Sequence, residues 1–187
     1  MCDCGGNLSK QIQRFLVPMP VILVSSQGFS GIPNIAPYGS TMAASLDAQR
    51  PCIAVGIVDR QRTYRNVLES AEFVANIPTI DMIDIINKTS LPCPPNVNKF
   101  ERFNIATTAS LKVRPPSVKA CKVRFECKLL RDIEFGGDRN LILGEVIAIT
   151  TDDTPQSPEK QSMDEMKSIL ARPKGYYSIG PLLSPRV

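Results

Sequence analysis

The sequence predicts a mainly β protein of antiparallel strands, most simply a closed or partly closed barrel with a few short peripheral helices. Three observations carry that expectation. Short apolar, β-branched runs bounded by Pro, Gly or Asn recur along the chain. They do so without the regular strand-helix alternation of a parallel sheet. The segment that alternates most clearly is followed, across a Gly-Gly turn, by a second strand-like run.

In chain order, Asn7 is placed to cap a short amphipathic helix in "NLSKQIQRFL", where Leu8, Ile12, Phe15 and Leu16 recur at helical spacing and Pro18 ends the run. "PVILVSS", Pro20 to Ser26, reads as a buried strand, and "QGFSGIPN" after it is turn chemistry suited to a hairpin. "PCIAVGIV", Pro51 to Val58, and "EFVANIP", Glu72 to Pro78, are further strands, with one or two helical turns in "RTYRNVLES" between them. "DMIDIINKT" opens on a cap-type Asp81 and puts Ile83 and Ile86 on one face, as a short helix would.

Prolines surround Cys93 in "KTSLPCPPNVNKFERF", so Leu91 to Val97 is expected to be a long, stiff, extended loop. In "KACKVRFECKLLR", Cys121, Val123, Phe125, Cys127 and Leu129 point one way and the charged residues the other, which predicts a half-buried strand. "LILGEVIAIT", Leu141 to Thr150, is apolar at nearly every position and predicts a strand buried on both faces, paired with the previous one across "FGGDRN". Ser162 and Glu165 in "SMDEMKSIL" have capping-box spacing for a last helix that Pro173 stops.

A chain of 187 residues, 43% hydrophobic and 21% charged, suits one globular domain that folds without metal or disulfide staples, with residues 1–6 as a mobile tail. The start "MCDCGGNLSK" has neither the basic residues nor the apolar stretch of a secretory signal, and no run is long and apolar enough to span a membrane. A cytoplasmic location is therefore expected, with no membrane partner, and the six scattered cysteines are read as free thiols.

With no histidine, Ser-His-Asp and Cys-His catalysis are excluded. Without a Cys-x-x-Cys pair a zinc site is not indicated either, so no metal is expected; Cys2 and Cys4 alone cannot close a tetrahedral site. A net charge of +4 is too small to indicate nucleic acid, and no Gly-rich Rossmann or P-loop motif is present.

Two stretches remain that could hold a ligand. In "NIAPYGSTMAASLD", Asn34 to Asp47, the small residues Ala36, Gly39, Ser40, Ala43, Ala44 and Ser45 leave the main chain unshielded. A flat heterocycle rimmed with donors and acceptors, such as an isoalloxazine, could reach its peptide groups; a small-residue strand packed under a helix has the same composition. In "DRQRTYRN", Asp59 to Asn66, a strand passes into a helix, Thr63 is placed to cap it, and Arg60, Arg62 and Arg65 supply positive charge. That combination suits a phosphate, and it also suits a solvated arginine-rich turn. Lys112 to Arg131 holds seven Lys or Arg against Glu126 alone, either a dock for an acidic partner or the wet face of a strand.

"PYGSTMAASLDAQRPCIAVGI", "RQRTYRNVLESAEFVANIP", "NKFERF", "ECKL", "ILGEVIAI" and "GYYSIG" together resemble the flavin reductase-like FMN-binding proteins, a group that includes flavoredoxins and NAD(P)H:FMN oxidoreductases. The resemblance runs from about Pro18 to Gly180, with the motifs in order. It implies a six-stranded antiparallel split barrel of Greek-key type, forming a homodimer with FMN near the subunit interface. On the same ground Ser40, Thr41, Ala43 and Ser45 look like isoalloxazine contacts, with Tyr38 or Met42 against the ring. Arg62, Thr63 and Asn66 look like the phosphate grip, and Lys99 and Tyr176 resemble elements that close over the flavin.

The implied activity is electron transfer from NAD(P)H through FMN to free flavin, ferric complexes or another small acceptor. A flavoredoxin-type carrier fed by a redox protein, or a flavin carrier without turnover, would share the same site. The chain departs from the family where "SLDAQRP" replaces the more usual "SLDPP".

Overall fold

The computed structural model describes residues 19–151, 167–172 and 175–178. The helix expected from Asn7 and the capping box of Ser162 and Glu165 lie outside the described residues. The strands are β1 (Met19–Pro20), β2 (Ile22–Gln27), β3 (Pro33–Tyr38), β4 (Thr41–Ser45), β5 (Cys52–Val58), β6 (Glu72–Ile77), β7 (Thr107–Thr108), β8 (Ser117–Val118), β9 (Val123–Glu134), β10 (Arg139–Thr151), β11 (Ile169–Arg172) and β12 (Gly175–Ser178). The helices are α1 (Arg62–Ser70), α2 (Ile83–Ser90), entered through a 3₁₀ turn at Ile80–Met82, and α3 (Lys99–Arg102).

One antiparallel sheet dominates, in the order β3-β2-β6-β9-β10-β5-β4. Its two edge strands are consecutive in the chain, joined only by Gly39 and Ser40. A sheet whose opposite edges are that closely tethered must roll up, so the covalent chain closes the barrel where no ladder does. The corner is pinned by Gly56 N donating to Ser40 O at 2.7 Å. A Cβ on Gly56 would stand 3.0 Å from the Ser40 Cβ, so the approach needs glycine. The resemblance implied six strands and the sheet has seven. The extra strand arises because Gly39 and Ser40 break one extended segment into β3 and β4.

Inside the barrel Ile22, Val24, Tyr38, Val55, Ile57, Val67, Phe73, Cys127 and Ile142 pack together, each fully buried aliphatic or aromatic side chain worth about 1.5–3 kcal/mol. Phe73 fits because residue 144 is glycine: a Cβ there would lie 2.4 Å from its ring. The β9–β10 register shifts at that point, between Leu143 and Gly144. A second cluster, with Val21, Leu23, Ile35, Met82, Ile86, Phe100, Ile105, Val118 and Ile169, fills the space beneath α2, α3 and the small sheet β1-β11-β12.

The hairpin expected at "QGFSGIPN" is present, with Gly31 at φ +73° and its N–H donating to Gly28 O at 3.1 Å. Four expectations are corrected. Residue Thr63 does not cap α1; Gln61 holds the N-cap position, and no side chain caps that end. Asp81 lies inside the 3₁₀ turn, whose N-cap is Thr79. The loop expected over Leu91 to Val97 is present, and beyond it "KFER" forms α3, because the Asn98 side chain accepts from Phe100 N at 3.0 Å. Ile169 and Leu170 belong to strand β11, pairing with β12, rather than to the end of a helix.

The fourth concerns the β9–β10 pair. Their antiparallel pairing is as expected, but only Asn140, Ile142 and Gly144 of β10 are buried, and Ile149 is exposed. On β9 the polar face is not uniformly wet, since Arg124 and Glu126 are both buried. The segment ahead of β8 folds over them: Leu111 N and Lys112 N donate to the two Glu126 carboxylate oxygens at 2.8 and 2.6 Å.

Candidate functional site

Alternation along β3 sends Asn34, Ala36 and Tyr38 to one face, where they form one wall of a cleft of about 350 Å³. The turn after β5 supplies the next wall, Arg60 to Thr63 with Arg65. The proline-rich segment, Ser90 to Cys93 with Pro95, and Lys99 of α3 complete it. Four cationic side chains line this cleft and no carboxylate does, so its charge suits an anion.

Each wall is held in place by bonds the side chains make. Arg62 Nη1 donates to Pro94 O at 3.3 Å and Val97 O at 2.7 Å, and Nη2 to Ile32 O at 3.4 Å and Pro33 O at 2.7 Å. One guanidinium therefore clasps the stiff loop to the start of β3, spending its donors on carbonyls while its charge stays uncompensated. Burial holds its pKa below the usual arginine value.

The Thr63 hydroxyl is buried and accepts from Asn34 Nδ2 at 2.9 Å. Tyr38 OH donates to Gln61 Oε1 at 2.9 Å. Burial pushes the Tyr38 phenol up to about 12, more than its contacts with Thr63 and Arg139 lower it. Lys99, only 7% exposed, donates Nζ to Thr89 O at 2.7 Å. Its pKa is lowered by burial and by the charge of Arg62, against the opposing effect of Cys93. Among the described residues no carboxylate lies within salt-bridge distance of Arg62 or Lys99.

The cleft thus brings together Ala36, Tyr38, Arg60, Arg62, Thr63, Arg65 and Lys99 from the residues singled out in the sequence. It adds Asn34, Gln61 and Cys93, and the period-two spacing of Asn34, Ala36 and Tyr38 was the signal for the first. Asn66 is not brought in: it is buried one turn along α1 and donates Nδ2 to Ser26 Oγ at 3.2 Å, on the β2 side.

Ser40, Thr41, Met42, Ala43 and Ser45 continue from Tyr38 around the barrel corner and do not line the cleft. Past Ser40, strand β4 pairs with β5 on one side only among the described residues. Its Met42 is 62% exposed. The unpaired edge of β4 offers peptide N–H and C=O groups to whatever lies beside it, as the small residues suggested. Tyr176 stands apart on β12, its OH donating to Asn87 Oδ1 at 3.3 Å.

No group of three or more His, Cys, Asp or Glu able to hold a metal is found among the described residues. Cys52, Cys121 and Cys127 are buried, and burial pushes the Cys127 thiol far up, which makes it unreactive.

A rolled antiparallel sheet with a cationic cleft beside an open strand edge defines a small β-barrel protein whose cleft carries positive charge. The chain belongs to the flavin reductase-like domain family, whose model matches residues 14–178. It is 33% identical over 156 residues to an uncharacterized protein of Methanothermobacter thermautotrophicus, covering 82% of this chain and 73% of that one. Nitrilotriacetate monooxygenase component B from Bacillus cereus superposes with a TM-score of 0.89 at 25% identity, over 99% of this chain and 98% of the other. Flavoredoxin of Desulfovibrio vulgaris (Miyazaki F) superposes with a TM-score of 0.79 at 22% identity, over 90% of each chain. The fold is the split barrel of this family, and no helix among the described residues is long and apolar enough to cross a membrane.

Proposed function

We propose that this chain is a single-domain, cytoplasmic, homodimeric FMN-dependent oxidoreductase that passes electrons from NAD(P)H to free flavin, a ferric complex or another small acceptor. The observation that carries the reading is the cleft with four cations and no carboxylate in its lining, in a chain of the flavin reductase-like family.

The residues present fit FMN. A phosphate dianion suits Arg62, Lys99, the Thr63 hydroxyl and the first-turn N–H groups of α1, which no side chain caps. Tyr38, buried and protonated through the physiological range, supplies an aromatic surface at the cleft wall. The peptide edge of Ser40, Thr41, Met42, Ala43 and Ser45 offers the donors and acceptors that the rim of a flavin ring needs. Asn66 acts indirectly, by holding α1 against β2 through Ser26. Tyr176 and the exposed Met42 stand at surfaces that a second subunit would cover.

When bound, FMN supplies hydride and single-electron chemistry that no side chain of this histidine-free protein could perform. The chain binds the cofactor by its phosphate, orients it between cleft and strand edge, and sets the local charge. A flavin with its phosphate beside Arg62 and Lys99 sits in a positive field, which favours an anionic reduced form.

The visible spectrum of the purified protein, with the released cofactor identified by mass, followed by anaerobic NADH and then NADPH, tests the reading. FMN absorbance that either nucleotide bleaches is the expected result. Bound flavin that neither reduces would make the protein a carrier fed by another redox protein, and a colourless chain that cannot be reconstituted would refute the site.

A further inference from the structure

The four cations of the cleft fall into two pairs. Lys99, buried, and Arg62, half-buried, form an enclosed pair, and both are tied to backbone carbonyls: Lys99 to Thr89 O, Arg62 to Val97 O and Pro33 O among others. Arg60 and Arg65 line the same cleft but are exposed, and among the described residues neither side chain makes a hydrogen bond or an ion pair. The acid best placed to pair with Arg65 is Glu69, one turn along α1, and it is engaged elsewhere, accepting from Phe29 N at 2.9 Å. The charge of Arg65 acts on Arg62, and that of Arg62 on Lys99, each lowering its neighbour's pKa in addition to the larger effect of burial. Three like charges therefore stand within electrostatic reach of one another with no acid in the lining between them, a repulsion that bound anions relieve.

We propose that the outer pair, Arg60 and Arg65, is a second phosphate subsite that takes the 2′-phosphate of NADPH and makes NADPH rather than NADH the electron donor, an inference that rests on the flavin reading above. The two pairs differ in what they can hold. Cations fixed by bonds to carbonyls and sheltered from water suit a resident group, since little ordering remains to be done at binding. Exposed, unbonded arginines suit a ligand that must arrive, react and leave, because their contacts are screened by solvent. Charge gives the same division. A phosphomonoester carries close to two negative charges at neutral pH, so the flavin phosphate matches the enclosed pair and leaves the outer pair uncompensated. Of the two nicotinamide donors only NADPH brings a second phosphomonoester, which the arginine fork binds through parallel N–H···O bonds. The diphosphate bridge is common to both donors and confers no preference.

The test titrates the full-length, FMN-loaded chain with NADP⁺ and with NAD⁺, neither of which can reduce it, by calorimetry at low salt. NADP⁺ should bind at least about tenfold more tightly than NAD⁺, the effect of the added charge-assisted contacts. In the double variant Arg60→Ala with Arg65→Ala that gap should close through loss of NADP⁺ affinity, while FMN affinity, read by flavin fluorescence, changes by less than about threefold. Both side chains are exposed, so the variant should melt with the wild type.

Equal affinity for the two nucleotides in the wild-type chain, binding of neither, or a gap that survives in the double variant overturns the proposal. So does a loss of FMN affinity as large as that of NADP⁺, which would put both arginines in the flavin phosphate site. FAD that binds more tightly than FMN in the wild type but not in the variant would give the outer pair to the flavin's own second phosphate, and equally overturns it. A chain that binds no FMN at all would refute the flavin reading separately. The same titration of the unloaded chain then decides the subsite: a preference for NADP⁺ that the double variant loses upholds it, and no preference overturns it.

Discussion

β3 and β4 are consecutive strands of one small-residue stretch, yet they end in opposite surroundings. β3 is the half-enclosed strand: Asn34 and Tyr38 are buried, and both reach the turn that starts α1. β4 is open, with Met42, Ala43 and Ala44 exposed and one edge unpaired among the described residues. Two residues, Gly39 and Ser40, separate them. In the proposed reading the difference divides the labour of binding: β3 contributes side chains to a charged cleft, while β4 contributes main chain beside it. A ligand with an anionic tail and a flat, hydrogen-bonding head needs both.

The largest expected effect comes from removing the clasp. Arg62→Ala should weaken FMN binding by about a hundredfold and lower stability by roughly 2 kcal/mol, since its bonds to two loops are lost with its charge. Arg62→Lys should restore the charge but not the clasp, so fluorescence titration and thermal melts of the pair separate the two roles. Next, Ser40→Leu at the corner should block the ring and cost FMN affinity on the order of tenfold or more, with the melting temperature little changed. Equal losses of FMN and inorganic phosphate binding in that variant would erase the distinction between the strands.

Thr63→Val should be smaller. It removes the acceptor of Asn34 Nδ2 and leaves that amide buried without a partner, costing about 1–3 kcal/mol of stability. Titration against pH sharpens the cleft side. Because burial lowers the Lys99 pKa, the charge that holds phosphate is lost below the usual lysine range, so FMN affinity should fall as pH rises toward that range. Stability runs the other way. The unfolded chain binds the proton that folded Lys99 gives up, so this group's contribution to folding improves with rising pH between its folded and unfolded values. In Lys99→Arg the alkaline loss of affinity should shift upward in pH. The smallest effect is expected on the open side: Met42→Lys should change subunit stability by no more than about 0.5 kcal/mol while weakening self-association measured by sedimentation.

Much of this was legible in the residues. β2, β5, β6 and the β9–β10 pair follow from apolar runs and alternation, and the arginines after β5 marked the anion turn. What was hidden depends on contacts between distant segments. Thr63 looks like a cap because its hydroxyl sits before a helix, but Asn34, far away in sequence, claims that hydroxyl and Gln61 takes the cap position. Alternation on β9 reads Glu126 as wet until the backbone of Leu111 and Lys112 covers it. Ile169 looks helical by local spacing, whereas pairing with β12 makes it a strand. The role of Arg62 as a clasp could not be read at all, since its acceptors are backbone carbonyls.

The central claim is that the cleft beside β3 takes the phosphate of a flavin. Comparing the affinities of FMN and riboflavin for the wild-type chain, at low and high salt, tests it most directly. FMN should bind about a hundredfold more tightly at low salt, with the gap narrowing as salt screens the exposed cations. Equal affinity for the two flavins at every salt concentration would contradict the account.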